Sequence, residues 1–422
     1  MTDTAPFGRT VAVTTLAGLV VVGQMYAVLP LLPKMAASWG TTPAAAAWTA
    51  TVFGLVYAAG FLLTGPLADR YGRRRVIAVG MAALVAATGA MALAPNLPAA
   101  LATRAAQGLA AAAFSPAALA YLTERIEPRR RPIALTCLIT AMVGAVVVGQ
   151  LFAQAGAALF GWQGAFVIGA LAEAALAVAL WRVMLPDGPA GATRTREAFT
   201  AMARLLRPGP LPLIYTAALT VLGGFVAVYS ALQLMGPPEL AGHPAAMLRL
   251  RAAALPALVA VPFLAPVLTR LRPTVRAAGA MALAAAVAAV LGAAAHSAIV
   301  IALLLLVFVG ALTAVSPALT AVVAELSGEA RAAGQALYTF ALLTGASLGP
   351  QLAVVLRGAG LPAVLWSVAA LLLCGAALVL AAGRRPGSRH PRGDRDGVAR
   401  GVGDVADPLP PRHVDGFAQH RH

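Results

Sequence analysis

The chain has 422 residues, 60% of them hydrophobic and only 11% charged, with a mean hydropathy of +0.83. Soluble domains carry roughly 45–50% apolar and about 25% charged residues, so a soluble globular protein is excluded and an integral membrane protein is indicated. The net charge of +16 does not point to nucleic acid, because the arginines stand between apolar runs instead of forming one face.

Taken in order, twelve apolar runs fall at about 10–32, 44–66, 76–94, 99–121, 133–160, 163–184, 211–234, 250–268, 277–295, 298–323, 333–356 and 362–382. Each is long enough, at about 1.5 Å per residue, to cross a hydrocarbon layer roughly 30 Å thick. The first reads as a retained span and not as a cleaved leader. Runs this long and uniformly apolar are helices, since barrel strands are shorter and alternate. Lys and Arg concentrate in alternate connections, which places those connections in the cytoplasm and, twelve being even, both termini with them.

The second connection, Gly65 to Arg75, packs Asp69 among Arg70, Arg73, Arg74 and Arg75, with Gly65, Pro66 and Gly72 expected to break helix. Cys137 and Cys374 fall inside apolar runs, as buried thiols do. The six His are scattered without metal-ligand spacing, so neither metal nor cofactor is expected. From 185 to 210 the chain becomes a polar linker. Phe199, Met202 and Leu206 share one helical side there, which fits either an interfacial helix or a loose connector. From 384 to 422 the composition is that of a disordered cytoplasmic tail.

The two halves repeat. At an offset of 201, Ser115-Pro116-Ala117 falls on Ser316-Pro317-Ala318, Glu124 on Glu325, Gly144 on Gly345, and Gln150-Leu151 on Gln351-Leu352. The same offset lays Gly65–Arg75 over Pro266–Arg276, where the acid is lost. The expected architecture is therefore an all-α membrane protein of two pseudo-symmetric six-helix bundles, 1–184 and 211–383. A transport site near mid-membrane would lie between them.

Gly-Pro-Leu-Ala-Asp-Arg-Tyr-Gly-Arg-Arg, from Gly65 to Arg74, resembles the signature loop between helices 2 and 3 of the major facilitator superfamily. Met25-Tyr26-Ala27-Val28-Leu29-Pro30-Leu31-Leu32-Pro33 and Gly161-Trp162-Gln163-Gly164-Ala165-Phe166 are similar to its bacterial multidrug and sugar-efflux branch. The resemblance covers about residues 8 to 384. It implies a conformational latch of Gly65, Asp69, Arg70, Gly72, Arg73, Arg74 and Glu124. In that latch Asp69 faces the start of the 333–356 span and Arg73 pairs with Glu124. It also assigns Arg104, Gln107 and Gly108 to the helix-4 motif, in which the Arg modulates a proton site; the residue-level alternative is an Arg snorkelling to the headgroups. The first span lacks the acid of several proton-coupled exporters. The helix-5 antiporter motif is degenerate too, with Gln150 after Gly149 where the family has Pro.

Glu173 is the one acid deep within a span. It is either a carboxyl group that binds and releases a coupling proton, with Arg104 as partner, or a neutral group used in helix packing. Cavity candidates are Gln24, Tyr26, Gln150, Gln154, Tyr229, Gln233, Ser347 and Gln351, with Gln150 and Gln351 placed to face each other. So few charges favour neutral or amphipathic solutes over nucleotides or dicarboxylates. The expected protein is a proton-coupled exporter of small organic solutes in the cell membrane, acting as a monomer. Facilitated diffusion or symport is the alternative, and a non-transporting sensor or a membrane-embedded enzyme are the readings from other classes. No acid cluster, nucleophile elbow or nucleotide loop supports an enzyme.

Overall fold

The computed structural model describes residues 4–187, 195–241, 244–253, 256–257, 271–294 and 297–384. Among them every regular element is helical, as lipid requires of a chain with no closed barrel. The run expected at 250–268 and the tail from 385 lie largely or wholly outside the described residues.

The first span is α1 (Phe7–Ala27), a 3-10 turn at Leu29–Leu31 and α2 (Leu32–Ser38). Pro30 and Pro33 lack the N–H that would continue α1 unbroken. A short α3 (Pro43–Ala46) leads into α4 (Trp48–Tyr71), which Gly72 separates from α5 (Arg73–Ala92). The fourth span breaks into α6 (Leu97–Ala112) and α7 (Ser115–Arg125) just ahead of Pro116. Arg131–Val183, α8, carries both the 133–160 and 163–184 runs. It breaks at Gly161, whose φ of 73° favours glycine, and the chain doubles back so that Gly156 lies against Ala165. The linker forms α9 (Thr195–Leu205). The second half supplies α10 (Pro210–Met235), α11 (Pro244–Ala253), α12 (Pro273–Ala294), α13 (Ala298–Leu326), α14 (Arg331–Val355) and α15 (Gly360–Arg384).

One expectation needs correction. Gly65 and Pro66 do not break helix: α4 runs through both to Tyr71, and the turn is the single residue Gly72 with φ 93°. Proline inside a membrane helix is tolerated where neighbouring helices accommodate the freed carbonyl, and Pro66 is buried. Pro317 and Pro350 likewise sit inside unbroken helices.

Among the described residues, ten segments are long and apolar enough to cross a membrane. Val79, Leu159, Leu171, Ile299 and Val355 point outward, each more than half exposed. Apolar surface on that scale is stable only against lipid. Inside, one buried cluster runs from Met202 to Ala382, and two others draw only on residues between Ala5 and Met184.

Glycines set the closest crossings. A Cβ on Gly149 of α8 would meet the Gly23 carbonyl of α1 at 2.5 Å, and one on Gly349 of α14 would meet the Gly223 carbonyl of α10 at 2.6 Å. The second pair stands 200 positions after the first, so the same crossing is built twice. Small residues of this kind let membrane helices touch backbone to backbone. Trp162 closes the hairpin at Gly161 by packing edge-on against Trp39, with ring centroids 5.4 Å apart.

Gly349→Leu is expected to lower thermal stability in detergent, because its obstacle is backbone; overpacking of this kind costs about 1–3 kcal/mol. Gly89→Ala, where a Cβ meets nothing within 4 Å, serves as control. Melting curves that leave the two variants level would refute the crossing as a stability determinant.

Candidate functional site

The largest fully buried side chain is Arg104 on α6, with no exposed surface. Its Nε donates to the Thr49 carbonyl at 3.1 Å. Its Nη1 donates to the Gln24 carbonyl at 3.0 Å and to Gln107 Oε1 at 3.1 Å, and Nη2 reaches the Met25 carbonyl at 3.4 Å. The guanidinium also lies over the Phe53 ring, 4.3 Å from its centroid. Arg104 is therefore satisfied inside the bundle and does not snorkel. The Gln24 and Met25 carbonyls belong to the last turn of α1, where carbonyls have no partner within the helix.

Gln107 extends the network by donating its Nε2 to Thr88 Oγ1 of α5 at 2.9 Å. Gly108 explains the last position of that motif, since a Cβ there would meet the Phe53 carbonyl at 2.4 Å. Glu173 on α8 is equally buried and faces Thr88, Gln24 and Arg104, yet neither of its oxygens closes a hydrogen bond of ordinary length. Five spans thus converge on one charged knot.

A second cluster lies at the Gly72 turn. Arg73 Nη1 contacts Asp69 Oδ1 at 2.8 Å, while its Nε and Nη2 hold Glu124 of α7 in a two-pronged grip at 3.0 and 2.6 Å. The pairing of Arg73 with Glu124 is the one the resemblance implies. Asp69, expected against the start of α14, gives this oxygen to Arg73. Arg70 lies over the Tyr71 ring, and Gly65 has open space around it. Arg74 donates to the Trp181 carbonyl and stacks on that ring at 4.0 Å.

Asp187 carries a role the sequence reading passed over. Its two oxygens accept the Arg74 and Arg75 backbone N–H groups at 2.9 and 3.1 Å, capping α5. A Cβ on Gly72 would collide with the Asp187 carboxyl, so the glycine is needed for that contact too. The linker helix α9 rests against α4 and α14.

The halves meet where α4 packs along α14. Gln351 Nε2 donates to Thr51 Oγ1 at 2.7 Å, and Gly54 leaves room for Ser347, whose Oγ bonds its own Leu343 carbonyl at 2.8 Å. Gln150 and Gln351 have different partners: Gln150 donates to the Val146 carbonyl of its own helix at 2.6 Å. Gln154 and Gln233 are exposed, Gln24 belongs to the charged knot, and Tyr26 and Tyr229 are placed near Arg251 of α11. Arg251, Thr49, Thr51 and Thr88 were not singled out from the sequence. Among the described residues no three of His, Cys, Asp and Glu gather as a metal site requires.

The family model described as Major Facilitator Superfamily matches residues 14–350. The chain is 26% identical to the inner membrane transport protein YnfM of Escherichia coli (strain K12), over 54% of this chain and 55% of that protein. It is 32% identical to the niacin transporter NiaP of Acinetobacter baylyi, over 33% of this chain and 32% of the relative. Identity with a chloramphenicol resistance protein of Pseudomonas aeruginosa is 31%, over 36% and 37%. The matches span about half or less of the length of these relatives. The family match takes in the charged knot, the signature turn and the contact between the halves apart from Gln351, and the chain belongs to the Major Facilitator Superfamily of non-enzymatic membrane carriers.

Proposed function

We propose that this protein is a secondary transporter that rocks the halves 1–184 and 211–383 about a central site, exporting small amphipathic organic solutes in exchange for protons. Both termini lie in the cytoplasm, and the working unit is a monomer. The observation that carries the coupling is Glu173: a buried carboxyl group, both oxygens unpaired, beside a fully buried arginine. A proton arriving there changes the charge of a site that water does not screen, and the change is felt directly by Arg104 and the helix ends it holds.

The Asp69–Arg73–Glu124 cluster supplies the latch. Its acids are about half exposed, at 44% and 52%, and ion pairs in that setting are worth about 0–1 kcal/mol. An interaction of that size biases a conformational equilibrium without freezing it. Thr51 and Gln351 form the opposing contact at the other end of α4, made when the outer side closes. The relative named for chloramphenicol resistance supports export. The one named for niacin transport keeps uptake by symport as the second reading.

In proteoliposomes holding a pH-sensitive dye, a panel of aromatic antibiotics and organic acids is expected to elicit solute-dependent proton movement with the wild type and none with Glu173→Gln. Proton movement of equal size in the variant would reject Glu173 as the coupling site. Silence from the wild type across the panel would count against exchange itself.

Asp69→Asn is expected to favour the inward-facing form by loosening the latch. The readout is maleimide labelling, from the outer side, of Ser347→Cys in a Cys137→Ala, Cys374→Ala background, since Ser347 lies at the same seam and bonds only within its own helix. Labelling should fall by up to about fivefold, the equivalent of 1 kcal/mol; an unchanged rate removes the latch role.

A further inference from the structure

We propose that Arg251, Tyr26 and Tyr229 form the anion-holding end of the central site, so that the carried solute is an organic monoanion with an aromatic body. The inference rests on the transporter reading above and names the solute class of that same site.

Arg251 occupies the third turn of α11. Its guanidinium lies 5.7 Å from the centre of the Tyr229 ring of α10, and Tyr229 in turn packs against Phe225 with centroids 5.1 Å apart. From the other half, Tyr26 of α1 comes within electrostatic reach of the same guanidinium. Tyr26 is itself coupled to Tyr57 of α4, whose hydroxyl is committed to Ser115 by a 2.7 Å hydrogen bond. One cation therefore stands where the two halves face each other, among aromatic rings.

Contrast with Arg104 shows what this cation lacks. Arg104 has backbone carbonyls and an amide for its donors. Around Arg251, among the described residues, no carboxylate stands within ion-pair range, and its electrostatic partners are the two tyrosines. A cation inside a membrane bundle is costly unless it is solvated or paired, so a half-buried Arg251 that has tyrosine rings and no acid beside it is suited to receive an anion. The planar guanidinium fork matches a carboxylate in two-pronged fashion. Tyr229 and Phe225 supply a flat apolar wall for an aromatic ring. A single cation balances one negative charge and leaves a second unpaired, which selects monoanions over dicarboxylates.

The test is equilibrium dialysis of detergent-purified full-length protein with labelled benzoate and 2-naphthoate, set against benzamide and 2-naphthamide. The acids are expected to bind about tenfold tighter than the amides, as suits a charge-assisted pair in a partly desolvated site. Arg251→Gln should erase that ratio, Arg251→Lys should keep part of it, and Arg249→Gln, a neighbour whose side chain is exposed, should keep all of it. On the unmodified protein, 2-naphthoate but not 2-naphthamide should shield Arg251 from phenylglyoxal, read by mass spectrometry, so the answer does not depend on a variant folding. Equal binding of acids and amides, no binding of either acid, no shielding, or a well-folded Arg251→Gln that keeps the ratio would each overturn the proposal. None of these readouts requires transport, so failure of the anion site is distinguishable from failure of the exchange cycle.

Discussion

A guanidinium cut off from water must find acceptors among the groups around it, and Arg104 finds them on three helices. Two of its acceptors, the Gln24 and Met25 carbonyls, are free because α1 ends just before Pro30. The proline-bearing stretch after Met25 and the Arg-Ala-Ala-Gln-Gly of α6 are thus two halves of one structure. The first leaves carbonyls without donors, and the second brings a side chain with donors to spare. Gly108 then removes a Cβ that would hold α6 away from α4. Loss of either party would leave polar groups unpaired in a low dielectric, where breaking a buried ionic contact costs roughly 3–5 kcal/mol.

The same logic orders the Gly72 turn. Four arginines crowded at one turn would repel one another, and three have different outlets: Arg73 to two acids, Arg74 to Trp181, Arg70 to the Tyr71 face. Arg74 and Arg75 also lend their backbone N–H groups to Asp187 at the end of the sixth span. The linker between the halves therefore begins on the signature turn itself.

Much of this was legible before any coordinates, and the reasons are physical. Lipid allows one backbone solution, so run lengths located the ten spans seen among the described residues. Charged residues are costly at depth, so Arg104 and Glu173 stood out by their mere presence. Pairing was harder to read. Thr88, Thr49 and Thr51 are ordinary in an apolar run, and only the packing of α4, α5 and α6 turns them into partners. Gln150 and Gln351 are related by the repeat, yet a glutamine can satisfy itself on its own helix, and Gln150 does so. Gly65 and Pro66 looked like breakers because soluble-protein rules were applied to a helix held by its neighbours. Arg251 was passed over because it lies near the start of its run, where a snorkelling side chain needs no explanation; Tyr26 and Tyr229 around it supply one.

The repeat also separates what folding needs from what it does not. Advancing the charged knot by 201 positions turns Arg104 into Leu305, Gln107 into Phe308, Thr88 into Ala289 and Glu173 into Cys374. Leu305 and Phe308 are buried as deeply as the residues they answer to, and the glycine crossing of α1 with α8 recurs between α10 and α14. The second half therefore reaches a comparable packing with hydrocarbon where the first holds a charge and an amide, while Cys374, which answers to the buried Glu173, is exposed. Well-packed apolar residues commonly match or exceed a buried ionic network in stability, so stability alone gives no reason for the knot. In the proposed exchange cycle the solute is held by Arg251, in the apolar half, and the proton by Glu173, in the polar one, and the packing of α4 along α14 is the contact that joins the two halves.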